Sequence, residues 1–238
     1  MKKNVFVFSL VSLVCLSSLT LLNSCLKQND NTQQQPSSLV SILQASPGAA
    51  GMDLYFNQDK ITTQPLPYTG NGSNPFPAGN YKISFVNSTS GDTLVQHRDS
   101  IEAGQFYSVI VYDTASKMKL MFFKDQFNFS QDQSSMYLRF LQLSPDAGPV
   151  DVYVGTTKTY SQRTFADNVI DPTRGVFAPL AQDNYSFTAV SSSTGDTLGQ
   201  LSNIGLSAGR AYTLFLRGLA SHTQDSLGLR LSIMLNYQ

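Results

Sequence analysis

The chain has 238 residues, enough for one large domain or two of ordinary size, and 41% of them are apolar, so it can form packed cores. Only 13% are charged, and 16 basic residues balance 16 acidic ones without forming a basic stripe. This composition excludes a surface that neutralises a run of phosphates, so we expect no nucleic-acid partner. A polar surface with few ionic groups favours a protein outside the cytosol.

Residues 1–24 have the pattern of a secretory signal peptide. Two lysines precede an apolar run from 5 to 22, and the run ends in "LLNSC". This ending resembles the cleavage site of bacterial lipoproteins, which implies cleavage before Cys25 and a diacylglycerol on its thiol; ordinary secretion is the alternative. The other cysteine, Cys15, lies inside the removed segment, so the mature chain could form no internal disulfide.

Residues 25–38 are polar, rich in Gln and end near a Pro, which predicts a flexible tether between the anchor and the folded part. Leu26 follows the cysteine, where the lipoproteins that this segment resembles carry Asp if they stay at the inner membrane. The resemblance therefore implies an outer-membrane protein whose membrane contact is the lipidated Cys25.

The remainder of the chain repeats itself. "SPGAAGMDLYF" at residue 46 recurs as "SPDAGPVDVYV" at residue 144, a spacing of 98, and "NYKISF" at residue 80 recurs as "NYSFTAV" at residue 184, a spacing of 104. "SGDTL" and "AGQFYS" recur later in the same order as "TGDTL" and "AGRAYT". A period of about 100 residues indicates two whole domains, which we place at 39–130 and 131–238.

Each repeat is predicted to consist of short strands. Segments such as "YSVIVY" at 107–112 and "VDVYV" at 150–154 alternate with period two, and clusters of Gly, Pro, Asn, Asp and Ser separate them. Half-buried strands need a second sheet to cover their apolar face. We therefore expect an all-β protein of two tandem antiparallel β-sandwich domains.

The repeated phrase predicts a structural signature made of a Ser-Pro turn and an Asp on the following strand: Ser46, Pro47, Asp53, Ser144, Pro145 and Asp151. Proline fixes φ and keeps the preceding serine out of the helical region. The two aspartates fall on the outward side of their strands, where we expect them to accept backbone N–H groups of the adjoining loop. A cation or ligand site is the alternative.

"ILQASPGAAGMDLYFN" and "FLQLSPDAGPVDVYVG", followed by "AGQFYS" and "AGRAYT", resemble a family of secreted and surface β-sandwich repeats known only as a domain of unknown function. The hallmark of that family is a phrase close to SPDAPAVDVYV. The resemblance spans both repeats and implies an immunoglobulin-like sandwich, but no reaction. Gly48 stands in the first copy where Asp146 stands in the second, so a function of Asp146 shared by both copies is not expected.

The sequence contains no pattern that predicts catalysis. His97 and His222 occupy non-equivalent places in the repeats, and motifs of hydrolases, zinc proteins and phosphate-binding loops are absent. We expect no catalytic residue, no cofactor and no metal. Calcium is the weaker exclusion, because acidic residues cluster in two turns, Asp146 with Asp151 and Asp167 with Asp171.

Aromatic residues cluster near the boundary between the repeats, in "MFFKDQFNF", at Phe122, Phe123, Phe127 and Phe129. We expect them to pack in the first core or between the two units. The alternative is a platform that stacks on sugar rings, although the chain has no Trp, the commonest residue of such platforms.

Five triplets of Asp, Ser or Thr, and an apolar residue resemble the O-glycosylation signal of the Bacteroidota phylum. The resemblance implies possible modification at Thr93, Ser100, Thr114, Thr197 and Ser226. The alternative is hairpin turn chemistry, to which "SGDTL" is equally suited.

These observations predict a non-enzymatic, lipid-anchored envelope lipoprotein of the outer membrane with a role in surface interaction, adhesion or envelope structure. The partner would be an unknown protein or glycan. The alternative is a glycan-binding accessory lipoprotein of a polysaccharide uptake system. An exposed row of parallel aromatic rings would favour glycan binding, and a cleft with two close carboxylates would favour an enzyme.

Overall fold

The computed structural model describes residues 37–126, 134–223 and 225–238. The signal peptide, Cys25 and most of the tether lie outside these residues, so cleavage and lipidation remain predictions. The described part is almost entirely β-structure, as the sequence predicts. Within it, no helix is both long enough and apolar enough to cross a membrane.

The strands of the first repeat are β1 Ser37–Gln44, β2 Met52–Phe56, β3 Asp59–Lys60, β4 Asn71–Pro77, β5 Gly79–Asn87, β6 Thr93–Ile101, β7 Phe106–Tyr112 and β8 Lys119–Asp125. Those of the second are β9 Ser135–Gln142, β10 Val150–Val154, β11 Thr157–Arg163, β12 Ala178–Ala181, β13 Asp183–Ser191, β14 Thr197–Leu206, β15 Ala211–Arg217 and β16 Arg230–Tyr237. The helical pieces are α1 Asp167–Ile170 and two 3₁₀ turns, Ala115–Lys117 and Pro172–Gly175.

The two repeats have the same strand order. The first has sheets β4-β1-β7-β8 and β3-β2-β5-β6, and the second has β12-β9-β15-β16 and β11-β10-β13-β14. This confirms the duplication and the two β-sandwiches. Most strand pairs are antiparallel, as predicted, but β1 pairs with β7, and β9 with β15, in parallel. These partners are far apart in sequence, and the chain visits the other sheet between them.

Each sandwich encloses its own core, and the alternating residues of the strands fill it. In the first repeat, Val40, Leu54, Phe85 and Val109 meet between the sheets. The corresponding cluster of the second repeat includes Phe140, Val152, Phe187 and Leu214. Two separate cores of this kind are sufficient to stabilise two independent β-sandwich domains.

The sheets that contain β1 and β9 also pack against each other, so four sheets form a stack. Leu43 of β1 and Ile110 of β7 meet Leu141 of β9 and Phe215 of β15 in a further apolar cluster. The central strands β1, β7, β9 and β15 are therefore buried on both faces for most of their length. The expected pattern of one buried and one solvated face is wrong for these four strands.

A polar network lies within this junction and centres on Arg139. Its guanidinium is fully buried and donates to Asp125 Oδ1 at 2.7 Å, Ser108 Oγ at 2.7 Å and Thr213 Oγ1 at 2.8 Å. The Tyr237 hydroxyl donates to the second oxygen of Asp125 at 2.6 Å. Burial, and then the Asp125 carboxylate, raise the pKa of Tyr237. The network joins β7 and β8 to β9, β15 and β16.

β1 begins inside the segment that the sequence predicts to be tether. Ser38 is buried and donates from its hydroxyl to the Glu102 carbonyl, and Ser37 accepts from Gly104 N at 3.1 Å. Ser37 and Ser38, which the sequence assigns to the tether, are therefore part of β1. The predicted domain boundary near 130 lies outside the described residues.

Candidate functional site

A groove of about 470 Å³ lies beside the junction of the repeats, and we name it the β8 groove. Its floor is residues 120–126, which include most of β8. One wall is His97 of β6, and the other is the segment between β11 and β12, represented by Asn168, Val169, Pro172 and Val176. The size is in the range of ligand-binding clefts.

The floor of the groove is fixed by packing on both sides of β8. Phe122 stacks on Tyr107 at 5.3 Å between ring centroids and lies 5.7 Å from the His97 ring, at the edge of the first core. Phe123 points the other way and covers the Arg139 guanidinium at 4.7 Å. The expectation that these phenylalanines pack in the core or between the units is confirmed for both. Phe127 and Phe129 lie outside the described residues.

The second wall is a helical insertion that only the second repeat contains. Arg163 forms a bidentate pair with Asp167 at 2.6 and 2.7 Å, and Arg174 bonds Asp167 at 3.1 Å. Burial opposes ionisation of Asp167, but the bonds from Arg163 and Arg174 lower its pKa. The Asn168 amide donates to Met121 Sδ at 3.5 Å, which attaches the insertion to β8.

The rim of this insertion is apolar and solvent-exposed. Val169 is 55% exposed, Ile170 is 89% exposed and Val176 is 48% exposed. Among the described residues, these are the exposed large hydrophobic side chains. Val169 and Val176 line the β8 groove, which distinguishes it from the rest of the described surface.

The Ser-Pro signature residues build equivalent turns in both repeats. The backbone N–H of buried Ser46 donates to Gln44 Oε1 at 2.7 Å, and that of Ser144 donates to Gln142 Oε1 at 2.6 Å. Pro47 and Pro145 follow in the turn, where Pro47 is buried and Pro145 is half-buried. The two serines therefore form equivalent turn contacts, and the signature residues lie apart from the lining of the β8 groove.

Asp53 and Asp151 have partners other than those that the sequence suggests. Asp53 pairs with Lys60 at 2.7 Å and accepts from Thr62 Oγ1 at 3.3 Å. Asp151 is bonded mainly from β11, by Lys158 Nζ and the Gln162 N–H. These bonds, with Lys158 contributing most, lower the pKa of Asp151 to about 2. The aspartates hold the following hairpin, so the expected bonds to the preceding loop are wrong.

The acidic turns do not gather into a metal site. Asp146 accepts from Ala220 N at 2.7 Å and Ser221 N at 3.1 Å, which ties two loops of the second repeat together. Burial opposes its ionisation, but these backbone bonds lower its pKa. In the described ranges, no three His, Cys, Asp or Glu side chains converge as metal ligands would.

The two histidines lie at the surface. His97 Nε2 is 3.3 Å from Asp99, and His222 Nδ1 is 2.8 Å from Asp225. The candidate glycosylation residues lie on turns and strand ends. Thr93, Ser100, Thr197 and Ser226 are exposed, whereas Thr114 is half-buried beside the buried Asp113.

Residues 38–153 match the family model described as domain of unknown function DUF4397. The match covers the first repeat and the opening strands of the second, including nearly all of both copies of the repeated phrase. It agrees with the predicted resemblance to a domain of unknown function. No curated protein matches the chain.

Two solved structures are similar to the chain. One is CBMbc, a family CBM26 module from Eubacterium rectale Amy13K in complex with maltoheptaose, which is 13% identical over 84% of this chain and 97% of its own, with a TM-score of 0.25. The other is a DUF3823 family protein from Bacteroides ovatus ATCC 8483, 11% identical over 72% of this chain and 99% of its own, with a TM-score of 0.21. Both TM-scores are too low to support an inference.

Within the region that matches DUF4397, sequence reasoning missed three buried residues. The Gln44 and Gln142 side chains accept the N–H groups of the Ser-Pro turns. The sequence could have indicated this role, because both copies of the phrase contain Gln two positions before Ser. Arg139 is a lone charged residue in the apolar run "MYLRFL", which is the signal of a buried ion pair. Its partner, Asp125, could not be identified from spacing.

Proposed function

We propose that this protein is a non-enzymatic, lipid-anchored binding protein of the bacterial envelope and that it holds its partner in the β8 groove. The observation that carries the proposal is that two exposed apolar side chains, Val169 and Val176, line that groove, and a third, Ile170, follows Val169 in the chain. Exposed apolar surface of this kind is typical of interaction sites, because it gains free energy when a partner removes it from water.

The ionisable side chains of the groove favour binding over catalysis. Three of them line it, and each has a partner: His97 faces Asp99, Lys124 pairs with Glu102 at 2.9 Å, and Asp125 pairs with Arg139. Acid–base chemistry needs a group free to exchange a proton with a substrate. A nucleophile beside a base is not found along this lining.

The glycan-binding alternative is not favoured by the geometry. A sugar platform presents the face of an aromatic ring to solvent. In the described part of the chain, no aromatic residue belongs to the exposed class, and the Phe122 ring is covered by Tyr107 and His97. The row of parallel exposed rings that would favour glycan binding is not found among these residues.

The anchor and the tether would place the groove near the outer membrane. Residues 26–36 separate Cys25 from β1, and a fully extended chain of that length spans at most about 40 Å. Expression in the native host with an alkyne-labelled fatty acid tests the anchor. We expect label on the wild type and none on Cys25→Ser, with the wild type in the outer-membrane fraction. Unlabelled wild-type protein would contradict the anchor.

Site-specific photo-crosslinking in intact cells tests the groove as the binding surface. A benzoylphenylalanine at Thr173, which lines the groove, is compared with one at Thr157, exposed on the outermost sheet of the second repeat. We expect a discrete adduct from position 173 that disappears when Val169 and Val176, which line the groove, are both changed to Ser. The same adduct from both positions, or none from position 173, would contradict the proposal.

A further inference from the structure

The open edge of β8 is the feature that indicates what the groove binds. β8 is the last strand of the sheet β4-β1-β7-β8, so one side of its backbone has no strand partner among the described residues. Unpaired N–H and C=O groups at a sheet edge can accept a further strand.

The register shows which backbone groups face the groove. Ala45 N donates to Val111 O at 2.7 Å, so the polar groups of Val111 point to β1. Backbone groups alternate along a strand, so those of Ile110 and Ser108 point to β8, where Met121 and Phe123 are their partners. By the same alternation, Leu120, Phe122 and Lys124 direct their N–H and C=O groups away from β7 and into the groove.

The groove has the shape of an extended chain. Its floor is seven consecutive residues, 120–126, which corresponds to roughly 23 Å of strand. The side chains of an added strand would point alternately to the His97 wall and to the wall that contains Val169 and Val176.

The charged side chains that line the groove are already paired, which favours an uncharged ligand. His97, Lys124 and Asp125 are all engaged by Asp99, Glu102 and Arg139, so the lining offers no unpaired charge to a ligand. A charged side chain placed against the apolar rim would lose hydration without gaining a partner. Backbone hydrogen bonds and apolar contact are what the groove can supply.

The second repeat gives an internal comparison, because its corresponding edge strand, β16, is contacted near both of its ends. Ser73 Oγ of β4 donates to Asn236 O at 2.5 Å, which places the first repeat against β16. Gly199 of β14 lies so close that a Cβ there would stand 2.6 Å from Leu231 N. Among the described residues, the groove at β16 borders only the end of that strand, from Leu235 onward, whereas the β8 groove follows six of the seven residues of β8.

Resting on the proposed function of the β8 groove, we propose that its ligand is an extended, uncharged polypeptide segment that adds to β8 as a fifth strand. The segment exchanges backbone hydrogen bonds with Leu120, Phe122 and Lys124. Its apolar side chains on one face contact Val169 and Val176.

A pair of variants at Lys124 isolates the backbone donor. Lys124→Pro removes the N–H that points into the groove and leaves the ladder to β7 intact, as edge strands tolerate. Lys124→Ala removes the same side chain and its bond to Glu102 but keeps the N–H. Equal melting temperatures and circular dichroism would show that both variants fold.

The probe is a displayed library of random peptides of roughly seven to nine residues, the length of β8, selected on the full chain in detergent. We expect selected peptides to be uncharged and apolar at alternate positions. They should bind wild type and Lys124→Ala equally, and bind Lys124→Pro at least about tenfold more weakly. On binding, amide hydrogen exchange should slow at Leu120, Phe122 and Lys124.

Several results would overturn the strand proposal. The first two are a library that yields no binder and selected peptides that bind Lys124→Pro as tightly as the wild type. The others are self-association of the chain through β8 and an adduct from position 173 that proves to be a glycan. The cellular crosslink separates the two proposals. An adduct from position 173 without any peptide binder refutes only the added strand, whereas the absence of that adduct refutes the groove as the binding surface.

Discussion

Replacing Arg139 by Met should strongly destabilise the protein, because it leaves the Asp125 carboxylate buried without its counter-ion. Arg139 and Asp125 are both fully buried as side chains, 2.7 Å apart, and the guanidinium lies between the Phe123 and Phe177 rings at 4.7 and 4.2 Å. Met fills part of the same volume between the rings but offers no charge and no donor.

The expected cost is about 3–5 kcal/mol, the usual penalty for removing one member of a buried ion pair. It corresponds to a fall in melting temperature of roughly 6–20 °C in a chain of this size. Asp125 keeps the bonds from Ser108 Oγ at 2.7 Å and Tyr237 OH at 2.6 Å, but these are neutral donors that cannot offset a full charge. Adding Asp125→Asn to the variant removes that charge, so the double variant should recover part of the loss.

The assay is a double-mutant cycle by denaturant unfolding on Arg139→Met and Asp125→Asn. We expect a coupling free energy above about 1.5 kcal/mol, since the two residues share one buried network. The control cycle uses Lys124→Met and Glu102→Gln, an exposed pair 2.9 Å apart, for which the coupling should be below about 1 kcal/mol. Additive effects of the Arg139 and Asp125 changes would refute the reasoning.

Three further predictions concern pH and the turns. Asp151→Asn removes a carboxylate whose pKa Lys158 and Gln162 lower to about 2. The wild type should therefore have a higher free energy of unfolding than the variant above roughly pH 4, and this difference should vanish as pH falls towards 2. A difference that stays constant with pH in denaturant titrations would contradict this. Gln142→Ala leaves the buried Ser144 N–H without its acceptor and should cost about 1–3 kcal/mol in denaturant unfolding, against less than about 0.5 kcal/mol for the exposed Gln96→Ala. Gly218→Ala should lower the melting temperature more than Gly148→Ala: both have positive φ, but only at Gly218 would a Cβ stand 2.2 Å from a backbone oxygen, that of Gly228. Equal losses would contradict the assigned clash.

The fold was predictable because local and global signals agree. The repeated phrase, the period-two alternation and the Gly-, Pro- and Asn-rich turns each predict strands in two equivalent units, and the structure has two equivalent sandwiches. The parallel pairing of β1 with β7 could not be predicted, because strand neighbours far apart in sequence leave no local pattern.

The packing of the repeats against each other was hidden for a different reason. Leu43, Ile110 and Phe215 occupy the positions that alternation assigns to solvent, and their apolar character was the available evidence that a second layer covers them. Arg139 gave the opposite signal, a charge where an apolar residue was expected. Its role depends on Asp125 and Thr213, which come from separate parts of the chain, so only the assembled junction explains it.

The candidate site arises where the two repeats stop being equivalent. The spacing between the copies grows from 98 at Ser46 and Ser144 to 104 at Asn80 and Asn184, so the second copy is six residues longer in this interval. Part of that interval is the insertion with α1, which carries the exposed rim of Val169 and Ile170. A duplicated sandwich has two equivalent edge strands, and the first repeat contacts β16 at Asn236. The insertion instead places an apolar wall beside β8 without pairing with it. An exposed strand edge beside an apolar wall would promote aggregation unless a specific segment occupied it. For this reason the binding role is assigned to β8 rather than to features that the two repeats share.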